Sequence, residues 1–574
     1  MVRGSPRKAK DFVAQIALAL AVILVWCHKL RIGAGQKFSA PIEYWGDALT
    51  TAGAIRATSE FSYLPIVPKT IYRLGAPFIA RWDDYPVTED LFFFFWGMVA
   101  RVTGLFAAIN LAWVSAAVLA AGSFFFVARY LRARTCIAFP LALVFGLSRC
   151  LFYRNVHHIT LTYYWPIPLF LLLGIKIASR RGLEFKTSWF RYALVLAAIA
   201  GTGNPYYLNF TLQIIVVATV LGKLGNDKSW RQMLPSAALV GVAIGCFFLM
   251  NLDSFLARLT LGPNPHAFAR SIGHMEQYAL RPVDLLVPRG AHNLFTQLPK
   301  GIAEYDQSVN RSESAYLGIV GAVGLVWMIL DGAYRAASKK PDRTTFMTVL
   351  ATVFVAYASV AGVNMLLGME GFVIFRSTNR VSIFLLAMGL LFLATRLSTL
   401  SSRLRGKLTI LVWALMVPLG LFGVSEAHPP IEHDRHARQK RDAESDAAIM
   451  GQLEARLPPM AGVFLVPYTP APEGDPWVFR LVSHSRWLRF SYGNTDGRPE
   501  AEWVKRVAAM EPEEMLSTLE RTGFSAVCVT PAGHRQVVKR LGDLGRNEVI
   551  ATPNGQLACV ILNPTGPLTP PSLK

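Results

Sequence analysis

Charge is scarce in this chain. Of 574 residues only 17% are Asp, Glu, Lys or Arg, where a soluble domain carries roughly one quarter. That shortage excludes an ordinary soluble enzyme over most of the length. The usual enzyme signatures are missing too: no GxxxxGK followed by Ser or Thr, no GxGxxG after a strand, no HExxH and no GxSxG. Nucleotide chemistry therefore has no visible site. No CxxC occurs, so zinc and thioredoxin-like readings lack their ligand pairs. Charge is scarcest inside the long apolar runs. A proton-coupled pump or ion transporter normally keeps ionisable groups near the bilayer midplane, so this distribution argues against one.

What the chain has instead is apolar runs of spanning length. A helix needs ~20 such residues to cross a hydrocarbon core of ~30 Å. Runs of this kind fall at 11–29, 105–129, 135–150, 159–177, 190–203, 205–222, 233–252, 314–332, 346–367, 380–397 and 408–425. They are continuous rather than alternating, which predicts helices and not a barrel. The basic start of the chain followed by an apolar run also describes a signal peptide. No small-residue cleavage site follows it, so an uncleaved first helix is expected.

The net charge of +21 is explained by position. Lys and Arg collect in alternate connectors, as at Arg129, Arg132 and Arg134 or Arg335, Lys339, Lys340 and Arg343. That is the positive-inside pattern. It predicts a cytoplasmic N-terminus and, with about 11 transmembrane helices, an outer C-terminus. No aromatic-interleaved basic face is present, so nucleic acid is not an expected partner; membrane lipids are.

The expected architecture is an all-α polytopic membrane protein with a small C-terminal extracytoplasmic α/β domain. A membrane domain covers 1–425, with outer loops at 30–104 and 253–313. A linker follows at 426–450, then the outer domain at 451–574. Within the first loop, Asp47–Thr58 predicts a short helix. Residues 91–104 are apolar but interrupted by Arg101 and Gly104, which predicts an interfacial or re-entrant helix. In the outer domain, strands are expected at 462–467 and 526–530. Helices are expected at 500–510, 512–521 and 534–541, and a hairpin at 548–562 around Pro553-Asn554-Gly555. Four of the six cysteines fall in or near spans. Cys528 and Cys559 fall on expected strands, and two core thiols are favoured over a disulfide there.

The unusual polar residues near membrane ends all fall on the predicted outer face: Asp47, Asp83, Asp84, Arg154, His157, His158, Asn204, Tyr206, Tyr207, Glu276, Tyr278, Arg376 and Arg380. Convergence there points to a reaction at the outer lipid–water boundary. Each also has a plainer reading. Gly46-Asp47 is a good N-cap context. Asp83-Asp84 before Tyr-Pro makes a turn. The histidines serve as interfacial anchors, the arginines as snorkelling residues, and Tyr206 and Tyr207 as belt aromatics. Glu276 and Tyr278 have a structural reading as loop residues.

These features resemble the GT-C superfamily of integral-membrane glycosyltransferases. The resemblance rests on the many-span topology, an Asp in the first outer loop and a C-terminal outer α/β domain. Locally, Asp84-Tyr85-Pro86, His158-Ile159-Thr160-Leu161-Thr162 with Pro166-Ile167-Pro168-Leu169, Glu313-Ser314-Ala315-Tyr316-Leu317-Gly318 and Arg376–Arg380 resemble a bacterial, lipoteichoic-acid-glycosylation type of branch. The resemblance implies a multi-pass plasma (inner) membrane enzyme. Its donor would be a polyprenyl-phosphate-linked sugar and its acceptor an extracytoplasmic glycan or lipid, with inversion at the sugar carbon. The Asp-x-Asp form of some GT-C loops is absent; Gly46-Asp47 and Asp83-Asp84 stand in its place. The catalytic base is then Asp47 or Asp84. Arg376, Arg380 and Arg154 would hold the donor phosphate, and His158, Glu276, Tyr278 and Asn204 would contact substrate. No metal or other cofactor is expected, with a divalent ion left open. The competing readings are a lipid-linked glycan transporter or flippase and a non-catalytic assembly factor for envelope polysaccharide.

Overall fold

The computed structural model describes residues 6–33, 37–226, 230–267, 270–288, 315–402, 408–427, 433–530, 549–552 and 555–573. The expected helix at 534–541 and the Glu313-Ser314 pair lie outside the described residues.

Every expected apolar run contains a helix. Helix α1 is Pro6–Lys29, α2 Asp47–Ser59, α3 Asp90–Thr103, α4 Leu105–Tyr130 and α5 Thr135–Gly146. Short α6 (Arg149–Arg154) and α7 (Ile159–Thr162) lead to α8 (Ile167–Ala178), α9 (Ser188–Thr202), α10 (Pro205–Asn226) and α11 (Leu234–Met250). Then come α12 (Leu252–Leu261), α13 (Ile272–Gln277), α14 (Val283–Leu286), α15 (Gly318–Ala337), α16 (Arg343–Ala358), α17 (Val363–Met369), α18 (Ser382–Ser401) and α19 (Leu408–Ala427).

Among the described residues seven helices are long and apolar enough to cross a membrane, which makes this a multi-pass membrane protein. The count of about 11 is not confirmed. Helices α8 and α16 are apolar but short, and α19 counts over Ala414–Glu426 only. The run 159–177 is broken because the chain leaves the helix after Thr162 and restarts beside Pro166 and Pro168. Helix α3 spans only 14 residues, roughly 21 Å at 1.5 Å per residue, and is separated from α4 by Gly104 at φ 87°. Its Phe95 is exposed and its Arg101 donates to Ser59 O at 2.7 Å.

In the first loop β1 (Thr70–Ile71) pairs antiparallel with β2 (Ala80–Arg81). The C-terminal domain, expected on the outer side, holds a five-stranded sheet in the order β4-β3-β5-β7-β6: β3 Gly462–Val466, β4 Arg489–Phe490, β5 Phe524–Val529, β6 Val549–Ala551 and β7 Ala558–Ile561. Strand β3 is parallel to β4 and β5, and β6 and β7 form the expected hairpin. Cys528 and Cys559 face each other in the β5–β7 register and form a disulfide. This corrects the core-thiol expectation; directly opposed positions on antiparallel strands bring the Cβ atoms within bridging reach. The segment expected as a linker is largely α20 (His433–Arg456), whose Ala443, Ile449, Met450 and Leu453 are buried in the outer core.

The first outer loop belongs to that core. Residues 73–76 run beside β4: Phe490 N–H donates to Arg73 O at 2.9 Å, Gly75 N–H to Tyr492 O at 2.7 Å and Ala76 N–H to Phe490 O at 2.9 Å. The Arg73 guanidinium binds Glu60 and the carbonyls of Ser485 and Leu488. Helix α2 lies against α21 (Phe479–His484) so closely that a Cβ at Gly53 would sit 2.3 Å from the Phe479 ring. Gly53→Val is therefore expected to lower stability by about 1–3 kcal/mol through overpacking. Thermal melting in detergent would read it, with limited proteolysis showing release of the outer domain.

Candidate functional site

Helix α2 begins with Asp47. Its N-cap is Gly46 at φ 50°, a conformation L side chains rarely adopt, and no side chain caps the helix. Asp47 is thus not an N-cap residue. It occupies the first helical turn, where the positive end of the helix favours a carboxylate. Its side chain is 61% exposed and its Oδ2 lies 3.6 Å from His158 Nε2.

Asp47 opens onto a cavity of about 520 Å³. Opposite walls come from the turn at 157–161, from Asn204 to Tyr206, from Ile374 to Arg380 and from residues 471–474 of the outer domain. Of the expected site residues, Asp47, His158, Asn204, Arg376 and Arg380 line this one space. The Arg376 guanidinium lies 5.6 Å from the Tyr278 ring centre and that of Arg380 lies 3.9 Å from Tyr206. Among the described residues neither arginine has a carboxylate at ion-pair distance, and Arg380 Nε is buried without a hydrogen-bond partner. Two cations held against aromatic rings, with no carboxylate at ion-pair distance among the described residues, are chemically suited to receive an anion. Tyr206 and Tyr207 are buried, which corrects the belt reading. Tyr206 O–H accepts the Ser377 N–H at 3.2 Å, and Tyr207 O–H donates to Leu161 O at 2.5 Å.

The neighbours His158 and Asp47 are shifted in opposite directions. Burial, with the charges of Arg154, Arg380, His157 and Arg376, holds His158 well below the ordinary histidine range. At neutral pH it is an uncharged imidazole. Partial loss of water on the cavity side raises Asp47 above its ordinary value although most of the side chain is exposed, opposed by His157 and Arg376 and reinforced by Glu473. His157 is turned the other way, with its Nε2 3.6 Å from Glu43 and its ring against Trp45 at 4.4 Å.

The remaining expected residues lie elsewhere. Asp84 is held by Arg498 through two contacts, Nε to Oδ2 at 2.7 Å and Nη2 to Oδ1 at 2.6 Å, and also by Asn264 at 3.3 Å. Both its oxygens are engaged in joining the first loop to the outer domain. Glu276 is exposed on α13 and does not line the cavity. Tyr278 reaches it only through Arg376, and Arg154 acts on Arg380 and His158 by charge without lining it.

Several cavity residues were not singled out from sequence. Lys69, 1% exposed, bridges Asp90 at 3.1 Å and Asp253 of α12, and its N–H binds Asp83 Oδ1 at 2.6 Å. Arg270 pairs with Glu473 at 2.9 Å and donates to Tyr85 O–H at 3.1 Å. Glu89 accepts from Asn204 Nδ2 at 2.8 Å. No pattern in the linear chain brings these partners together.

A second cavity, about 640 Å³, adjoins the first. Its walls are apolar, from Phe92, Phe95, Trp96, Val118, Trp165 and Phe170 among others. The two share Glu89, Thr160 and Asn204. A greasy groove between α3, α4, α8 and α9 therefore meets the polar space at three polar side chains. Among the described residues no group of three or more His, Cys, Asp or Glu is placed to hold a metal ion.

No protein-family model matches the chain, and no curated protein does. Among solved structures it is similar to oligosaccharyltransferase AglB of Archaeoglobus fulgidus in complex with an inhibitory peptide and a dolichol-phosphate. That match has 11% identity over 98% of this chain and 75% of that one, at TM-score 0.45. The apo form of the oligosaccharyltransferase from the same organism matches at 11% identity over 97% and 75%, TM-score 0.42. A form tethered to an acceptor peptide containing the NVT sequon matches at 13% over 96% and 74%, TM-score 0.44. At such identities and TM-scores the likeness fixes neither family nor activity.

The two candidate carboxylates differ in a measurable way. Asp84→Asn strands the Arg498 charge and is expected to cost about 2 kcal/mol, read as a lower melting temperature. Asp47→Asn, at an exposed position without a cap bond, is expected to leave the melt unchanged.

Proposed function

We propose that the chain is an integral-membrane glycosyltransferase of GT-C type, taking its sugar from a polyprenyl-phosphate donor and passing it to an acceptor hydroxyl on the outer side. One observation carries this reading: a carboxylate and two arginines with no ion-pair partner among the described residues share a cavity that runs into an apolar groove. Transfer from a lipid phosphate needs each of these parts, and needs them adjacent.

Asp47 acts as general base. The acceptor oxygen bonds to the sugar's anomeric carbon from one face while the carbon–oxygen bond to phosphate breaks on the other, so the configuration inverts. The acceptor proton passes to Asp47, and the electron pair leaves with the phosphate. Arg376 and Arg380 stabilise that departing charge, since a guanidinium fork suits phosphate oxygens. Neutral His158 steadies the Asp47 carboxylate and accepts a hydrogen bond from sugar or acceptor. The groove holds the prenyl chain. Asp84 joins the loop to the outer domain and so sets where Asp47 stands. The N-terminus lies on the cytoplasmic side of a plasma membrane. The basic connectors support that topology, as does the disulfide in the outer domain, because disulfides persist in oxidising compartments.

Asp47→Asn is expected to lower transfer at least ~100-fold in an assay with labelled polyprenyl-phosphate sugar. Arg376→Ala or Arg380→Ala is expected to raise the donor KM roughly tenfold, the loss of one charged hydrogen bond. Activity that survives Asp47→Asn would overturn the assignment. The base works deprotonated, so kcat falls as pH drops through the raised Asp47 pKa. That acid limb is expected at higher pH than an ordinary aspartate gives, and is read from kcat between pH 4 and pH 8.

A further inference from the structure

Glu89 stands where the apolar groove and the polar cavity meet, and the mechanism above gives it no task. It flanks the start of α3 without capping it. Its Oε1 accepts from Asn204 Nδ2 at 2.8 Å, and Asn204 also donates to Thr160 Oγ1 at 3.3 Å. Glu89, Thr160 and Asn204 line both spaces. Among the described residues no basic side chain comes within ion-pair distance of Glu89. A donor whose prenyl chain fills the groove and whose sugar fills the cavity must place its phosphate at this seam. An ionised carboxylate there would repel it.

We propose that Glu89 binds the donor as a neutral carboxylic acid, donating its O–H to a phosphate oxygen at the mouth of the groove. This rests on the lipid-phosphate reading and adds a donor-binding residue to it. Burial, the largest effect, and the adjacent Asp90 charge shift Glu89 toward the neutral form, against hydrogen bonds from Thr160 and its own backbone N–H, the Arg380 charge, and a long contact from Thr88 Oγ1 to Oε2 at 3.4 Å. Tyr63 also faces it and is itself hydrogen-bonded to Asp90 at 2.6 Å. Arg380 and Glu89 then hold one phosphate together, the first by charge and the second by a hydrogen bond. The two carboxyls of the site have opposite needs. Donor binding is complete while Glu89 is protonated and weakens as pH rises through its raised pKa; Asp47 requires the reverse.

The test uses full-length protein in lipid nanodiscs and a geranylgeranyl methyl phosphodiester, whose single charge does not titrate in the range studied. Affinity is measured between pH 5 and pH 8 for the wild type, Glu89→Gln, Glu89→Ala and Arg376→Ala/Arg380→Ala. The wild-type Kd is expected to rise at least about fivefold across that range, as the competent fraction falls. Glu89→Gln keeps a neutral donor and should bind with a flat pH profile; Glu89→Ala should also be flat but bind more weakly than Glu89→Gln at every pH. A Glu89→Gln profile that still tracks the wild type, or Glu89→Gln as weak as Glu89→Ala, overturns the inference while leaving the donor class intact. A wild type that binds no diester, or binds it equally without both arginines, overturns the lipid-phosphate reading and the inference with it.

Discussion

The site depends on a piece of backbone pairing far from any candidate catalytic group. Residues 73–76 of the first outer loop hydrogen-bond to the β4 edge. An isolated loop of this length at a membrane surface would leave its peptide groups to water and its position unset. Joined to the sheet, it becomes part of the outer core, with α2 pressed against Phe479 and Arg73 reaching two carbonyls of the outer domain. Asp47 at the start of α2 is thereby fixed relative to residues 471–474. Lys69 fastens the same loop to the first turn of α12 through Asp253, just after the long apolar helix α11. The membrane and outer parts are registered against each other, and the cavity is the space left between them.

Within that frame, acidic side chains of nearly identical chemistry acquire different work from their neighbours. Asp84 is neutralised by Arg498 and serves as a strut. Asp90 is buried against Lys69 and Tyr63, and burial pushes it up to about 6 despite the lysine. Asp47 stands exposed at a helix start beside a neutral histidine. The arginines follow the same logic in reverse. Arg73, Arg270 and Arg498 each have a carboxylate, whereas among the described residues Arg376 and Arg380 have aromatic rings and no carboxylate at ion-pair distance. Charge without a partner inside a cavity is what remains for a ligand to satisfy.

Much of this was legible in the sequence. Apolar runs located the helices, because span length is set by the bilayer. The basic connectors then placed Asp47, His158, Asn204, Arg376 and Arg380 on one face, and the structure brings those five to one cavity. What escaped was whatever depends on distant partners. Asp84 looked equivalent to Asp47 until Arg498, more than four hundred residues away, was found holding it. Glu89 and Lys69 carried no motif, and their roles come from Asn204 and Asp253. The disulfide needed the β5–β7 register, which no cysteine spacing supplies. The break after Thr162 was signalled by Pro166 and Pro168, but hydropathy alone read through it.

The central claim is that the polar cavity and the apolar groove are two halves of one donor site. Photocrosslinking tests it most directly, with a polyprenyl phosphodiester that carries a diazirine midway along its chain, followed by mass spectrometry of the modified peptides. The account predicts label on Phe92, Trp96, Trp165 and Phe170 in the groove, competed away by unlabelled diester and lost when Arg376 and Arg380 are both alanine. Label spread over the outer surface of the spanning helices, unaffected by competitor or by the arginines, would contradict it.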